Sequence, residues 1–376
     1  MENSYTETTS KSWGNRIMES LKGILFGLLL VALAFIVLWW NEGRAVKTAK
    51  SLEEGASSVV TISSSAVAKE NEQKLVHLTG MATTNEILID ADFKISLPAI
   101  KLRRIVEMYQ WKEEKSEKKE KKMGGSEETV TTYSYKKVWD DNIISSENFK
   151  QKEGHTNPTT FQYSSSEKIA QNVQVGGFTL SPSLIQKINK YEKLNPQTFD
   201  STQKSSQEIY IGRGNINSPE IGDVKISFEA VKPIEVSIVA KQVGNSFEPY
   251  KAEAGGEVEL LEYGNVPAAK MFSEAQSTNT TMTWIFRIAG IAMMFFGIMT
   301  IFKPLVTVAD VLPFLGSILN MGLGIFSAVI SFSLSFITIA LAWLFYRPVL
   351  GIILLVIGIG IFVGIKFISP KKKTAK

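Results

Sequence analysis

The chain has 376 residues, 41 basic and 37 acidic side chains, a formal net charge of +4 and no cysteine. This excludes disulfides, thiolate nucleophiles, cysteine-ligated zinc and iron–sulfur clusters. The average hides two chemistries: residues 41–283 carry 30 basic against 33 acidic side chains, with no basic footprint for nucleic acid, and the flanking segments are largely apolar.

Taken in order, residues 1–20 form a polar tail whose first ten residues are expected to be disordered. Across 12–23, Trp13, Ile17, Met18 and Leu21 recur at helical spacing. That is the pattern of a short interfacial helix, or of an extension of the span that follows. Residues 21–40 are apolar and of the length that a hydrocarbon core about 30 Å thick requires. They end on Trp39-Trp40, an aromatic pair suited to headgroup level. No small-residue cleavage site follows, so the run reads as an anchor rather than a removable leader.

Residues 41–283 read as an α+β, β-rich domain, large enough to bury its own core. Strands are expected at 58–67, 74–83, 86–97, 100–112, 129–139, 224–228, 234–243 and 257–263, from their β-branched and aromatic content. Residues 113–128 are almost all Lys and Glu around Gly124-Gly125 and read as a solvated hairpin tip that buries nothing. Ser181-Pro182 opens a helix expected to reach Leu194, and 266–276 reads as a short helix leading back to the membrane.

The last quarter is apolar again. Residues 284–302, 321–346 and 349–368 are three further spans, the last two joined by the tight turn 347–348. Residues 303–320, broken by Pro304 and Pro313, read as an interfacial elbow, and 369–376 is a basic tail. The fold class is therefore a multi-span α-helical membrane protein: four transmembrane helices, with the β-rich domain between the first two. Basic residues in the short segments (Lys11, Arg16, Lys22, Lys303, Lys366 and the C-terminal lysines) place both termini in the cytoplasm and the domain in the periplasm or lumen. Arg44, Lys47 and Lys50 oppose that assignment, but long domains translocate largely regardless of charge.

Chemistry-bearing residues are sparse. His77 sits in a strand pattern and His155 in a turn sequence, where ordering the local backbone explains each better than catalysis. No second histidine lies at ligand spacing, and no acidic pair has a partner for acid–base work, so no catalytic, cofactor-binding or metal residue is expected. Gly212-Arg213-Gly214 lacks the third glycine of a dinucleotide loop. Asn279-Thr280-Thr281 is a glycosylation sequon placed too near the membrane for use. Arg287 either snorkels to the headgroups or forms a buried pair with an acid of the domain. Asp310 is within reach of Lys303, two helical turns earlier.

Several motifs carry a family likeness. They are Trp40-Asn41-Glu42-Gly43-Arg44-Ala45-Val46; the run from Lys101-Leu102-Arg103-Arg104 to Tyr109-Gln110-Trp111; Tyr133-Ser134-Tyr135 with Trp139; Ile143-Ile144, Asn148-Phe149 and Gly154-His155 followed by Asn157-Pro158; and Trp343-Leu344-Phe345-Tyr346-Arg347-Pro348. Together they resemble the transmembrane protein 43 (LUMA) family over nearly the whole chain. The resemblance implies a non-enzymatic membrane scaffold. In animals it implies the endoplasmic reticulum and inner nuclear membrane, with emerin and lamin-type partners. In a bacterium the cytoplasmic membrane replaces those compartments, and those partners drop out.

Helical geometry marks one face of the third span. At about 100° per residue, Asn320, Gly324, Ser327, Ala328, Ser331, Ser335, Thr338 and Ala342 fall on one small, hydroxyl-bearing side, and Ser333 falls opposite. Small faces pack against neighbouring helices rather than lipid. The expected partner is the fourth span, which carries Gly360 and Gly364 on one face. The function expected is an integral membrane scaffold that contacts membrane lipid and other membrane proteins and forms a homo-oligomer. A channel lined by the hydroxyl face is the alternative, and a tethered hydrolase is a weaker third.

Overall fold

The computed structural model describes residues 4–195, 208–349 and 351–353. Its helices are α1 (Trp13–Ser58), α2 (Pro182–Lys187), α3 (Ala268–Ala309) and α4 (Pro313–Tyr346). Three of them, α1, α3 and α4, are long and apolar enough to cross a membrane. The fourth span, 349–368, lies almost wholly outside the described residues.

The domain is built on two seven-stranded sheets. One places Ser4–Lys11, Glu127–Asp140, Lys101–Lys121, Val224–Val231 and Glu192–Lys193 side by side. The other centres on Leu75–Thr83 and Ile234–Val243, paired antiparallel from Ile234↔Ala82 to Lys241↔Leu75. Alternation explains the core between them. From Leu102 to Gln110 every second residue of the long strand is buried, and on its neighbour Val224, Ile226, Phe228 and Ala230 point the same way. They meet Val76, Leu78, Val236 and Ile238 of the second sheet in one apolar cluster.

The helices grow out of this domain without a break. α1 runs on from the predicted span to Ser58, 46 residues in all, or about 69 Å at 1.5 Å per residue. Only Val60–Thr61 remains of the strand expected at 58–67. α3 likewise fuses the expected short helix and second span, and continues through Pro304 into the expected elbow. Leu52 of α1 with Met271 and Phe272 of α3 packs against Leu75 and Val239 of the second sheet. The same two helices then descend together, and Ala34, Met294 and Ile298 form a separate core with α4's Ile330 and Leu334. The outer faces remain apolar: Leu25 is 76% exposed, with Phe26, Ile36, Ile288, Ile325 and Phe336 exposed around the bundle. Helices apolar all round belong in lipid or a large core.

Three local readings differ from the sequence expectation. The elbow reduces to a turn at Asp310–Leu312 before α4 starts at Pro313, a proline at the first helical position. The helix at Ser181 ends at Lys187, because the chain then pairs Glu192–Lys193 with Ala230 and Glu229. The third difference is the largest. The charged stretch 113–128 is mostly ladder, with Lys101–Lys121 paired to Glu127–Asp140 from Met108↔Asp140 out to Lys121↔Glu127. The N-terminal residues are ordered on it: Ser4–Lys11 pairs with Glu127–Ser134. Thr and Tyr are strand formers, and the hairpin offers this segment an otherwise open edge.

Candidate functional site

A buried polar network lies where the bundle meets the domain. Glu42, on α1 just past the Trp39-Trp40 pair, is fully buried. Its carboxylate accepts from Arg287 of α3 twice, from Nε at 2.7 Å and Nη2 at 2.9 Å. Trp343 of α4 donates its indole N–H to the same carboxylate at 2.7 Å. Three helices thus converge on one acid. The guanidinium lies against two rings, 4.8 Å from the Trp284 centroid and 5.7 Å from that of Trp343. Of the two readings of Arg287, the buried pair is the one found; the acid stands at the membrane end of the domain.

Two residues further along α1, Arg44 donates to Asn279 Oδ1, Asn41 Oδ1 and Thr283 Oγ1 at 3.0–3.2 Å. Asn41 donates to the Thr283 carbonyl and Asn279 to the Ala45 carbonyl. Asn279, the sequon residue, is therefore buried with its amide engaged. Gly43 is small for a reason: a Cβ there would sit 2.7 Å from the Tyr346 ring. A buried ion pair is weak evidence for net stability, but removing one partner leaves a stranded charge.

At the other end of the bundle a second carboxylate is closed differently. Asp310 caps α3 and is 1% exposed. It accepts from Arg16 Nη2 at 2.6 Å and from Lys121 Nζ at 2.7 Å; Lys303, the partner expected, is not used. Arg16 also donates to the Gly125 carbonyl at 2.6 Å, Trp13 donates to the Thr307 carbonyl at 2.9 Å, and the Gly124 amide donates to the Val311 carbonyl at 3.0 Å. The hairpin tip, expected to bury nothing, buries Gly125 against the Trp13 ring. Gly316 makes room for the acid, since a Cβ there would lie 1.7 Å from Asp310 Oδ1.

A family model described as Transmembrane protein 43 matches residues 108–348. Mouse Transmembrane protein 43 is 37% identical over 349 residues, covering 89% of this chain and 86% of the mouse protein. This chain belongs to the transmembrane protein 43 family. The human protein is 35% identical over 353 residues, with 90% and 88% covered. The Drosophila melanogaster homolog is 32% identical over 347 residues, with 89% and 91% covered. No solved structure matches the chain.

Two of the motifs that carry the family likeness, far apart in the chain, meet at the junction: Glu42 and Gly43 come from one, Trp343 and Tyr346 from the other. The motifs of the long hairpin meet elsewhere, at its base. His155 is buried, stacked on Tyr135 at 4.0 Å and edge-on to Trp111 at 4.7 Å, with Nδ1 hydrogen-bonded to the Gln151 carbonyl. Asn157 accepts from the Trp111 amide and donates to the Trp111 and Ile144 carbonyls. Burial, with the Glu113 carboxylate accepting its hydroxyl, pushes Tyr135 up to about 12. These residues pin the loop 141–158 to the hairpin, a structural task.

His77 is placed the same way: it is buried, its Nε2 donates to the Val266 carbonyl at 2.9 Å, and Nδ1 lies 3.3 Å from the Thr61 hydroxyl. The Gly212-Arg213-Gly214 loop wraps a protein group instead of a phosphate. The Arg213, Gly214 and Glu220 amides and the Tyr210 hydroxyl all donate to the Asp223 carboxylate. Burial pushes that carboxyl up, but these hydrogen bonds outweigh it and hold it below the usual range. Among the described residues no cluster of three acidic or histidine side chains is arranged to hold a metal.

The small face of α4 divides along its length. Ser327, Ser331, Ser335, Thr338 and Ala342 are buried, Gly324 and Ala328 are half-buried, and Asn320 is exposed. The described helices packed on α4 are α1 and α3. Gly360 and Gly364, on the expected partner, lie outside the described residues. Ser331 and Thr338 bond back to carbonyls of their own helix, at Ala328 and Leu334, a common outlet for hydroxyls in membrane helices. The Ser327 and Ser335 hydroxyls are buried without a hydrogen-bond partner among the described residues. Ser333, on the other side, is exposed.

Proposed function

We propose that the chain is a non-enzymatic integral membrane scaffold. It organises other membrane proteins through its β-rich domain and associates with copies of itself through its helices. In this reading four helices cross the bilayer, at 21–40, 284–302, 321–346 and 349–368, with both termini cytoplasmic and the domain on the opposite side. The carrying observation is the Glu42–Arg287–Trp343 junction. That buried polar network clamps α1, α3 and α4 together where α1 and α3 run on into the domain. A rigid connection of that kind suits a protein that fixes the position of its domain over a membrane. The membrane is the cytoplasmic one in a bacterium, and the endoplasmic reticulum or inner nuclear membrane in a eukaryote, where emerin- and lamin-type partners enter.

The channel reading draws least support. The small face is buried at Ser327, Ser331, Ser335, Thr338 and Ala342, which leaves little of it to line a shared pore. Crosslinking and mass spectrometry on native membranes tests the scaffold: the expected result is a recurrent set of other membrane proteins linked to lysines of the domain. Links confined to copies of this chain would overturn it, and single-channel conductance from the purified protein would replace it with the channel.

A further inference from the structure

Beside the junction, on the outer surface of α1, two depressions share Trp40 as a common wall. The lower is an apolar groove of about 430 Å³ between α1 and α4, lined by Phe35, Ile36, Trp39, Ile337 and Leu341. The upper is a pocket of about 640 Å³ walled by Arg44, Lys47, Lys50 and Tyr346. No acidic residue lines either one.

Three cations converge on the upper pocket. Arg44 spends its guanidinium on neutral partners, Asn279, Asn41 and Thr283. Its Nε is buried with no hydrogen-bond partner among the described residues. Lys47 and Lys50 are exposed and make no ion pair among the described residues. Glu42, two residues before Arg44, is already paired with Arg287. The pocket therefore holds an excess of positive charge at the edge of an apolar surface.

Position along the helix completes the argument. Trp39 and Trp40 mark the headgroup boundary. Arg44 lies about 6 Å beyond Trp40 along the axis and Lys47 about 10 Å, while the polar zone of a leaflet is roughly 5–7 Å deep. Arg44 is thus at phosphate level, and Lys47 reaches down to it by snorkelling. Below them the groove offers a dry track for an acyl chain. A free phosphate would satisfy the cations but leave the groove empty.

We propose that this pair of depressions binds one anionic glycerophospholipid, with its phosphate held by Arg44 and Lys47, Lys50 adding positive charge above it, and an acyl chain lying between α1 and α4. Basic side chains at a membrane surface favour anionic lipid, and the apolar groove supplies the second half of the recognition. The site does not depend on the scaffold reading.

The test is native mass spectrometry of the full chain purified in detergent and titrated with phosphatidylglycerol or phosphatidylcholine of matched chains. The expected result is about tenfold greater retention of phosphatidylglycerol, abolished in Lys47→Gln/Lys50→Gln with the thermal transition unchanged. Leu341→Trp, which fills the groove, should lower retention of phosphatidylglycerol while leaving the charges intact. Equal retention of the two lipids by the unaltered chain would overturn the proposal. So would an unchanged preference in the double variant, or retention that inorganic phosphate displaces at millimolar concentration, which would assign the cations to a free anion.

Discussion

The bundle is closed at both ends by a buried carboxylate and an arginine, yet the two closures connect different things. At the domain end Glu42, Arg287 and Trp343 belong to α1, α3 and α4, so the contact is internal to the helices and holds however the bundle sits in a membrane. At the far end Arg16 and Asp310 are also internal, but Lys121, Gly124 and Gly125 come from the tip of a hairpin rooted in the domain. That hairpin is a ribbon of Lys and Glu, and lipid tolerates neither open strand edges nor such charges. The stretch of α1 between the two ends has the opposite character, apolar all round with no polar face on which to lie flat. A bilayer crossed at 21–40 therefore excludes the closed ribbon contact, and the closed ribbon contact excludes the crossing. Similar chemistry at two ends carries one architectural statement that is independent of the membrane and another that depends on it.

Breaking the domain-end closure should have the largest effect. Arg287→Ala strands the Glu42 carboxylate, and the expected loss is about 3–5 kcal/mol, read as thermal unfolding of the full chain in detergent. Glu42→Gln/Arg287→Gln should recover at least half of it, because no charge is left unpaired. If the single and double variants lose equally, the pair is not the element that holds the junction.

Gly316→Ala tests the internal half of the far-end closure. The added Cβ displaces the Asp310 carboxylate from its seat beside Arg16, and an overpacking cost of about 1–3 kcal/mol is expected in detergent and in nanodiscs alike. A neutral outcome would mean that Asp310 is not seated there.

Between the two ends, Ser331→Leu should cost a similar ~1–3 kcal/mol, because Ser331 is buried, whereas Ser333→Leu on the exposed face should be near neutral. Equal effects at both would show that the small face of α4 is not a packing seam. Lys121→Gln should have the smallest effect. Lys121 is one-third exposed, and solvent screening leaves such a pair within about 1 kcal/mol in detergent. In nanodiscs the proposed crossing would part ribbon from elbow, and the effect should then vanish.

Much of this was legible in the sequence wherever a single element decides its own fate. Apolar length announced α1, α3 and α4 as candidate spans, alternation announced Leu102–Gln110 as a half-buried strand, and 3.6-residue geometry sorted Ser331 from Ser333. Contacts between distant segments were not legible. Nothing local to Glu42 names Arg287 as its partner, although each follows a tryptophan at the edge of an apolar run, Trp40 and Trp284, and opposite charges at matching depth are the signal that links them. Lys303 was the plausible partner for Asp310 on one helix, but the helix continues through Pro304 and turns only at Asp310, which brings Arg16 closer. The N-terminal strand was hidden for a different reason. A short Ser/Thr/Tyr run has no core face of its own and orders only because the hairpin presents an edge.

The measurement that bears most directly on the membrane-crossing account uses the absence of native cysteine. Thr8→Cys, exposed on the N-terminal strand, and Thr160→Cys, exposed on the domain, are introduced separately and labelled with an impermeant maleimide on sealed native vesicles of known orientation. The account predicts that the two react from opposite sides, Thr8→Cys from the cytoplasmic face and Thr160→Cys from the other. Reaction of both from the same side would contradict it, and would mean that the ribbon stays closed on the elbow while the helices enter the membrane without crossing it.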